Sequence, residues 1–433
     1  MSDNVVNLNQ IKPTPREKEP EADLGSMSLP VDRYISQEFM DLEWKHLWTK
    51  IWIVGGRLSD MPNPGDYVTT EIGKESMLLI RGTDMKVRAF YNICQHRGNR
   101  LVKNDMGHFD SFVCPYHSWA WNADGDLTHV EDEWDFTQGL PPARLNLREV
   151  PCDDWGGWAW YNLDPNAGPL RDFLGIFPEH MDCYGHEDWA VTFDKTVEVD
   201  CNWKVATDNF NEMYHVRSVH PQLMPYMDDA NAQVDLYEGG HSRLLVPCMQ
   251  PTARLGDLDE VTEFMAGILE NWDMNPDDFK GRVGEAREAT QQQIRKLAPE
   301  RGFDVSNLSD AQLTDQYHYL VFPNLTIRTG ALSMSFLRPR PHATDKDKCY
   351  FDVITLAKVA EGEEVPERPA NNTFPIGEDS AGLVIDQDVA ELNNVQLGMY
   401  SDGFDGFWMN NQERRIRWFH SVLDEYIYGA RGR

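Results

Sequence analysis

The chain is poor in basic residues and in long apolar runs. Lys and Arg together number 40 against 71 Asp and Glu, which gives a formal net charge of −31. Nucleic-acid phosphates and anionic lipid surfaces both attract basic proteins, so we expect neither as a partner. No uninterrupted apolar run approaches the length of a membrane span, and the N-terminal 25 residues lack the apolar core of a signal peptide. We therefore expect a cytoplasmic protein that does not enter a membrane.

Cysteine is scarce, with seven among 433 residues. Five of the seven are scattered and have no obvious partner, so we expect reduced thiols rather than disulfides. Two cofactor motifs are also absent. No G-x-G-x-x-G follows a strand-like segment, which excludes the common dinucleotide fingerprint. No C-x4-C-x2-C occurs either, which excludes the plant-type ferredoxin cluster.

The other two cysteines each have a histidine beside them. Cys94 and His96 read C-x-H, and Cys114 and His117 read C-x2-H after a spacer of seventeen residues. Each pair can bring two side chains together on one tight loop, and the spacer allows the two loops to close on one centre. A Cys2His2 set serves either zinc or a Rieske [2Fe–2S] cluster, in which two His replace two Cys on one iron. Because each half supplies one Cys and one His, the pattern favours the cluster.

A second metal motif lies in the segment NWKVATDNFNEMYHVRSVHP, where His215 and His220 are spaced H-x4-H. Five residues along an ideal helix turn through roughly 500°, which leaves the two rings about 140° apart. On one continuous helix the two rings could not face the same metal. Pro221 removes this difficulty, because the residue before a proline avoids the helical region. We expect His215 on a helix and His220 at the point where that helix ends. With one carboxylate, the pair would form the facial triad of non-haem Fe(II) oxygenases.

Three segments, CQHRGNR, CPYHSWAWNADG and NWKVATDNFNEMYHVRSVHP, resemble the catalytic α subunit of Rieske non-haem iron oxygenases, also called aromatic-ring-hydroxylating dioxygenases. The resemblance implies an α+β fold with a small antiparallel β Rieske [2Fe–2S] domain. It also implies a larger catalytic domain of the START/Bet v1 type, in which helices pack on an antiparallel sheet. The sequence then divides into a mobile tail (1–28), an N-terminal helix that packs with the catalytic domain (29–50), the Rieske domain (51–165) and the mononuclear iron domain (166–433).

The resemblance also implies the third iron ligand. It places this carboxylate at Asp388, in LVIDQDVAELNNVQLGM, with Asp386 as the rival. The residues alone leave another interpretation open, since acidic side chains are favoured in the first turn of any helix.

Glu212 occupies the position at which the family has an acidic residue linking iron site and cluster. It would accept hydrogen bonds from His215 and from His117 of a neighbouring subunit. Many members have Asp at this position, so the longer Glu changes the geometry of the link. Asp208 and Asn209 would orient His215 or line the pocket. The candidate pocket residues are Phe210, Met213, Leu223, Met224 and Phe336.

The implied activity is that of a terminal oxygenase in a multicomponent system. It would use O2 and electrons from a separate ferredoxin, a flavin reductase, or both, to hydroxylate an aromatic or related small organic substrate. The alternatives are monooxygenation that causes N- or O-dealkylation, and oxidation of a quaternary amine. The resemblance further implies a homotrimer (α3) or an α3β3 assembly.

Overall fold

The computed structural model describes residues 23–141 and 144–431. Most of the predicted tail, residues 1–22, lies outside these ranges. The chain divides into two compact units. The smaller unit comprises Gln37–Asp188 and Pro341–Asp345, and the larger one comprises the residues up to Ser36, Trp189–Arg340 and the chain from Lys346 onward. In the described ranges, every helix is too short or too polar to cross a bilayer.

Helices and strands are numbered in chain order. The α-helices are α1 (Asp32–Ile35), α2 (Gln37–Glu43), α3 (Leu170–Leu174), α4 (Phe177–Met181), α5 (Trp203–Asn209), α6 (Val216–Val219), α7 (Glu263–Asn271), α8 (Ala286–Glu300), α9 (Asp310–Thr314), α10 (Leu383–Gly398) and α11 (Arg414–Tyr428). The first strands are β1 (Trp52–Arg57), β2 (Asp66–Ile72), β3 (Glu75–Arg81), β4 (Val87–Tyr91), β5 (Met106–His108), β6 (Phe112–Val113), β7 (Ala120–Trp121), β8 (Leu127–His129), β9 (Glu149–Val150), β10 (Cys152–Trp155) and β11 (Trp158–Asn162). The remaining strands are β12 (Ala190–Val199), β13 (Gln233–Leu236), β14 (Ser242–Val246), β15 (Gln316–Val321), β16 (Leu325–Thr329), β17 (Ser333–Pro341), β18 (Cys349–Ala357) and β19 (Asn372–Pro375).

The smaller unit is built from short antiparallel strands. Its sheets have the strand orders β1-β11-β10, β5-β2-β3-β4-β9 and β6-β7-β8. The hairpin between β2 and β3 shows why these segments fold in this way, since Ile72 pairs with Glu75 across a two-residue turn in which Gly73 has φ 52°. A positive φ is the conformation that such tight hairpin turns need and that glycine adopts readily. Aromatic side chains, among them Trp119 and Trp121, fill the core beneath the loops that follow β4 and β6.

The larger unit contains an eight-stranded sheet with the order β13-β14-β15-β16-β17-β18-β12-β19. The pairs from β13 to β17 are antiparallel, as is β12 with β18, whereas β12 and β19 run parallel. Helix α10 packs against α5, and α11 packs against β13. The predicted α+β class, with a small antiparallel β domain beside a helix-on-sheet domain, is confirmed.

The domain limits differ from those expected. The larger unit resumes at Trp189, whereas the sequence places the start of the catalytic domain at 166. The single helix expected over 29–50 is divided into α1, α2 and a π-helical turn at Trp44–Trp48. Only its first part, up to Ser36, falls in the larger unit. Apolar periodicity identified the helical segment, but it could not show that Ser36, with extended φ −92° and ψ 128°, interrupts it.

Candidate functional site

The two Cys–His loops of the smaller unit share one backbone design. The amide of Cys94 donates to the carbonyl of Asn99 (2.7 Å), and the amide of Cys114 donates to that of Trp119 (2.8 Å). Each cysteine carbonyl accepts from the residue four positions later, at 3.0 Å from both Gly98 and Ser118. Gly98 and Ser118 both have positive φ, 75° and 58°. Each loop therefore closes tightly and brings its Cys and His to one place.

The four side chains of these loops suit a metal cluster. Cys94 and Cys114 are buried, whereas His96 and His117 are partly exposed, with ring centroids 4.7 Å apart. Nδ1 of His96 is buried and has no hydrogen-bond partner among the residues that the structure describes. Burial and the adjacent Cys114 thiol raise the pKa of Cys94, although amides of the loop lower it. Two facing thiols, an unpartnered imidazole nitrogen and amides directed at sulfur form a donor set that fits a [2Fe–2S] cluster.

In the larger unit, the helical segment that leads to His215 and His220 is interrupted before His215. Helix α5 ends at Asn209, and His215 immediately precedes the four-residue helix α6. His220 ends α6 with φ −124° and ψ 52°, which is the departure from helical backbone expected before Pro221. The two rings lie 5.3 Å apart, inclined at 76°. The turn between α5 and α6 aims both rings at one centre, which a continuous helix could not do.

Asp388 completes this centre. It lies on α10 and is 2% exposed, and its Oδ1 lies 2.8 Å from Nε2 of His220 and 3.4 Å from Nε2 of His215. One ligand atom from each of the three residues lies within 4.8 Å of the others. Two imidazoles and one carboxylate that converge in a buried place form the donor set of a facial triad.

A side-chain oxygen holds the second ring nitrogen of each histidine. Oε1 of Glu212 accepts from Nδ1 of His215, and its Oε2 accepts from the backbone amides of Tyr214 and His215. Oε1 of Gln387 accepts from Nδ1 of His220 at 2.9 Å. With its proton on Nδ1, each imidazole presents the lone pair of Nε2 towards Asp388, as a metal ligand must.

Nearby charged groups also change the pKa of His215. Burial lowers the pKa of His215, but Glu212 and Asp388 outweigh this effect and hold it above its ordinary value. The anionic surroundings of this ring therefore favour a bound positive charge, whether a proton or a metal ion.

Asp386, the rival third ligand, points elsewhere. Its Oδ1 accepts from the amide of Ala381 at 2.9 Å, and its Oδ2 accepts from the hydroxyl of Ser380. It holds the turn before α10, which is the role of an acidic residue in a first helical turn.

Contrary to expectation, neither Asp208 nor Asn209 forms a hydrogen bond with His215. Oδ2 of Asp208 accepts from the hydroxyl of Tyr34 (2.6 Å) and from Nε2 of His420 (3.1 Å). Helix α5 ends before the turn to α6, so Asp208 and His215 do not lie on one continuous helix and Asp208 does not orient the His215 ring. Nδ2 of Asn209 is buried and has no hydrogen-bond partner in the described part of the chain.

The predicted pocket residues separate into two groups. Met213 and Leu223 belong to an apolar cluster that lies next to the histidines, since it includes Val216, the residue after His215. Its other members include Leu244, Val246 and Cys248, with Tyr226 and Val384 packed against it. A cavity of about 50 Å³ adjoins this cluster, and Met213, Val234 and Leu244 are among its lining residues. Phe210 instead stacks on Phe351, with centroids 5.0 Å apart.

Met224 and Phe336 are buried outside this cluster. Phe336 pairs with Ile327, so it points to the sheet face opposite to that of the neighbouring Arg328. Alternation along β17 decides this orientation, and the sequence alone did not indicate which face is turned towards the histidines.

The sequence did not identify four further residues at this site. Gln387 holds His220, and Gln222 donates in turn to the same Gln387 oxygen at 2.6 Å. Asn211 is fully buried, and within residues 23–141 and 144–431 neither of its side-chain polar atoms has a hydrogen-bond partner. Burial lowers the pKa of Arg328, and Asp388 lies close enough to oppose this effect. Only Gln387 had a local signal, its position directly before the candidate ligand.

Comparisons with known proteins identify two domains in the chain. A family model for the ring hydroxylating alpha subunit (catalytic domain) matches residues 186–429, and one for the Rieske [2Fe-2S] domain matches residues 51–138. The glycine betaine monooxygenase oxygenase subunit of Pseudomonas aeruginosa (strain UCBPP-PA14) is 32% identical over 204 residues, which cover 46% of each chain. The carnitine monooxygenase oxygenase subunit of Escherichia coli (strain K12) is 32% identical over 212 residues, or 48% of this chain and 55% of that protein. The matched region thus spans about half the length of these curated relatives.

Solved structures show the same fold. A quaternary ammonium Rieske monooxygenase gives a TM-score of 0.69 at 19% identity, covering 95% of this chain and 99% of that one. Naphthalene 1,2-dioxygenase with bound indole gives a TM-score of 0.65 at 20% identity, covering 94% and 93%. Taken with the converging donor sets, the family matches show that the chain belongs to the ring-hydroxylating α-subunit family and carries a Rieske [2Fe–2S] domain.

Proposed function

We propose that the chain is the terminal oxygenase component of a multicomponent Rieske system, which oxidises a small organic substrate with O2. The convergence of His215, His220 and Asp388 carries this proposal, because these residues could hold a metal ion in addition to the cluster of the Rieske domain. A Rieske electron carrier would need the smaller unit alone. The family contains both mono- and dioxygenases, and both outcomes remain candidates for this chain.

The residues of the two sites have separate roles. Cys94, His96, Cys114 and His117 would hold the [2Fe–2S] cluster. His215, His220 and Asp388 would hold Fe(II), with Asp388 preferred to Asp386 because only Asp388 faces both imidazoles. When bound, the cluster supplies single electrons and the iron supplies O2 activation.

The surrounding residues prepare the ligands and the pocket. Glu212 and Gln387 fix the tautomers of His215 and His220, so that neither ring must reorient when metal binds. Met213 and Leu223 form apolar walls that exclude water next to the histidines.

We also propose that Glu212 links subunits, as the family resemblance implies. A carboxylate can accept about four hydrogen bonds. Glu212 accepts one from Nδ1 of His215 and two from backbone amides. This leaves capacity for a donor such as His117 of a neighbouring subunit. The link requires an oligomer, so we propose an α3 or α3β3 assembly that accepts electrons from a separate ferredoxin, a flavin reductase, or both.

The substrate has two candidate classes. The first is an aromatic ring or a related small organic molecule, which would be hydroxylated. The second is a quaternary amine, because the relatives named above are glycine betaine and carnitine monooxygenases. The structure adds one observation in favour of the second class. The rings of Tyr226 and Phe264 meet edge to face at 4.8 Å, and Tyr226 borders the cluster around the histidines. Aromatic faces can stabilise a quaternary ammonium group.

Turnover with 18O2 tests this proposal. The metal-loaded chain, supplied with a reductase system, is given a panel of aromatics, N-methyl compounds and quaternary amines. Two labelled hydroxyls on one ring would show dioxygenation, whereas formaldehyde from an N-methyl compound would show dealkylation. The Asp388→Ala variant is the control and should give no product. A metal-loaded, reducible protein that oxidises no member of the panel would contradict the proposed substrate classes.

A further inference from the structure

Arg328 lies on the sheet face that is turned towards the histidine centre. It pairs with His318 on β15 and with Ser335 on β17, and His318 pairs with Leu244 on β14. Residues directly opposite each other in an antiparallel pair point to the same face. Leu244 belongs to the apolar cluster around the histidines, so the guanidinium of Arg328 emerges on that side of the sheet.

The guanidinium of Arg328 has no protein acceptor within the described ranges. Its Nε is buried without a hydrogen-bond partner, and no side-chain carboxylate lies within salt-bridge distance. Other arginines of the same sheet are paired: Arg243 with Asp235 at 2.8 Å, and Arg338 and Arg340 with Asp352 at 2.8 and 2.7 Å. A buried charge without a counter-ion is costly, so we expect an anion to bind at the Arg328 guanidinium.

The neighbours of Arg328 do not supply that anion. Burial raises the pKa of Tyr226 well above its ordinary value and that of Cys248 to about 12, so both stay neutral near pH 7. Asp315, on the same side, is bound by Arg287 at 2.9 and 2.7 Å. Asp388 acts on Arg328 only through space, while its Oδ1 faces the two imidazoles of the proposed iron site.

A second buried arginine adds to the positive charge. Arg415, from α11, donates to the hydroxyl of Ser242 at 2.9 Å and to Nδ1 of His318 at 3.2 Å, both of which are neutral acceptors. Its side chain is fully buried, and in the part of the chain that the structure describes it makes no ion pair. His318 accepts from Arg415 and faces Arg328, and burial with these two cations lowers its pKa well below the ordinary value. The sheet wall next to the triad is therefore cationic.

We propose that Arg328 binds the carboxylate of the substrate, and that the physiological substrate is a small organic acid, either an aromatic carboxylate or a betaine. The planar guanidinium can hold a carboxylate through two parallel hydrogen bonds, which fixes the orientation of the bound molecule as well as its position. With its carboxylate held at the sheet, the substrate directs its opposite end towards His215, His220 and Asp388. This inference rests on the proposed oxygenase function and specifies its substrate class.

Matched pairs of acid and amide test the proposal. Binding to the metal-loaded chain is measured calorimetrically for benzoate and benzamide, and for glycine betaine and its amide. In at least one pair the acid should bind about 10- to 100-fold more tightly than the amide, as expected for a hydrogen bond to a charged group. Arg328→Gln should reduce this preference to about threefold or less while leaving amide binding unchanged, and Arg328→Lys should retain part of it.

Arg243→Gln is the matched control, because Arg243 lies in the same sheet but is paired with Asp235. It should leave the acid preference as in the parent chain. Thermal melting verifies that each variant is folded, and Arg328→Gln should not lower the melting temperature, since it removes an unpaired buried charge.

Three results would overturn the proposal. The first is the absence of an acid preference in both pairs with the parent chain. The second is an acid preference that Arg328→Gln leaves unchanged. The third is loss of iron from Arg328→Gln, which would make Arg328 the counter-ion of Asp388 rather than a substrate-binding residue. Iron content and reductase-dependent O2 uptake of the parent chain are measured separately, so failure of the oxygenase function is distinguished from failure of the substrate class.

Discussion

Replacing Glu212 by Gln should weaken iron binding at the histidine centre while leaving the Rieske cluster in place. The two side chains have nearly the same size, but Gln carries no charge and offers only one acceptor oxygen. Glu212 uses both of its oxygens, one for Nδ1 of His215 and one for the amides of Tyr214 and His215. In the variant, an NH2 group must face an N–H donor on one of these two sides.

The expected size of this effect follows from the contacts. A hydrogen bond to a charged group contributes about 1.5 to 3 kcal/mol, and loss of a residue that orients a metal ligand typically lowers metal affinity about 10- to 100-fold. At 25 °C that range corresponds to about 1.4 to 2.7 kcal/mol, so the two estimates agree. We therefore expect the Fe(II) dissociation constant to rise about 10- to 100-fold.

Competition with a chelator under anaerobic conditions measures this constant, and the visible absorbance of the cluster serves as the internal reference. Glu413→Gln is the control. Glu413 is close enough to raise the pKa of His215 through space, but its Oε2 accepts from the amide of Asn410 at 2.9 Å instead. It should change the dissociation constant less than about threefold. An unchanged constant in Glu212→Gln would refute the assigned role of this carboxylate.

Three further predictions concern single side chains. Asp388→Asn should abolish Fe(II) binding at the histidine centre, whereas Asp386→Asn should keep the iron and lower the free energy of unfolding by about 1 kcal/mol through its lost hydrogen bonds. Metal analysis and urea unfolding measure the two effects, and iron loss from Asp386→Asn would reverse the assignment. Cys94→Ala should remove the visible absorbance of the cluster, and a coloured variant would exclude Cys94 as a ligand. Burial raises the pKa of Asp352, but Arg340 and Arg338 outweigh it and lower the pKa to about 2. Because the folded pKa is depressed, its stabilisation of about 2 kcal/mol is complete above about pH 4 and is lost as the pH falls towards 2, so urea unfolding of Asp352→Asn should depend less on pH in this window.

Short-range spacing made the cluster predictable from the sequence. Cys94 and His96 are two positions apart, and Cys114 and His117 are three apart, so one loop determines the geometry of each pair. The proline after His220 likewise predicted where the short helix would end, and the backbone of His220 departs from the helical region there. Such features depend on local sterics, which the sequence contains directly.

Features that depend on long-range packing were less accessible. Asp388 is 168 positions from His220, and only the family resemblance pointed to it. Asp208 was expected to orient His215 or line the pocket, and the sequence does not show that the helix carrying Asp208 stops at Asn209. The orientation of Phe336 depends on strand register, and the unpaired state of Arg328 depends on where every nearby carboxylate finds its partner. Both are properties of the assembled sheet rather than of any segment.

Iron and acid-labile sulfide analysis of the anaerobically purified chain tests whether it holds both a [2Fe–2S] cluster and a separate iron atom. We expect about three iron atoms and about two sulfides per chain, with about one iron removed selectively by Asp388→Asn. A chain that contains zinc and no labile sulfide, or one whose iron content is the same with and without Asp388, would contradict this expectation.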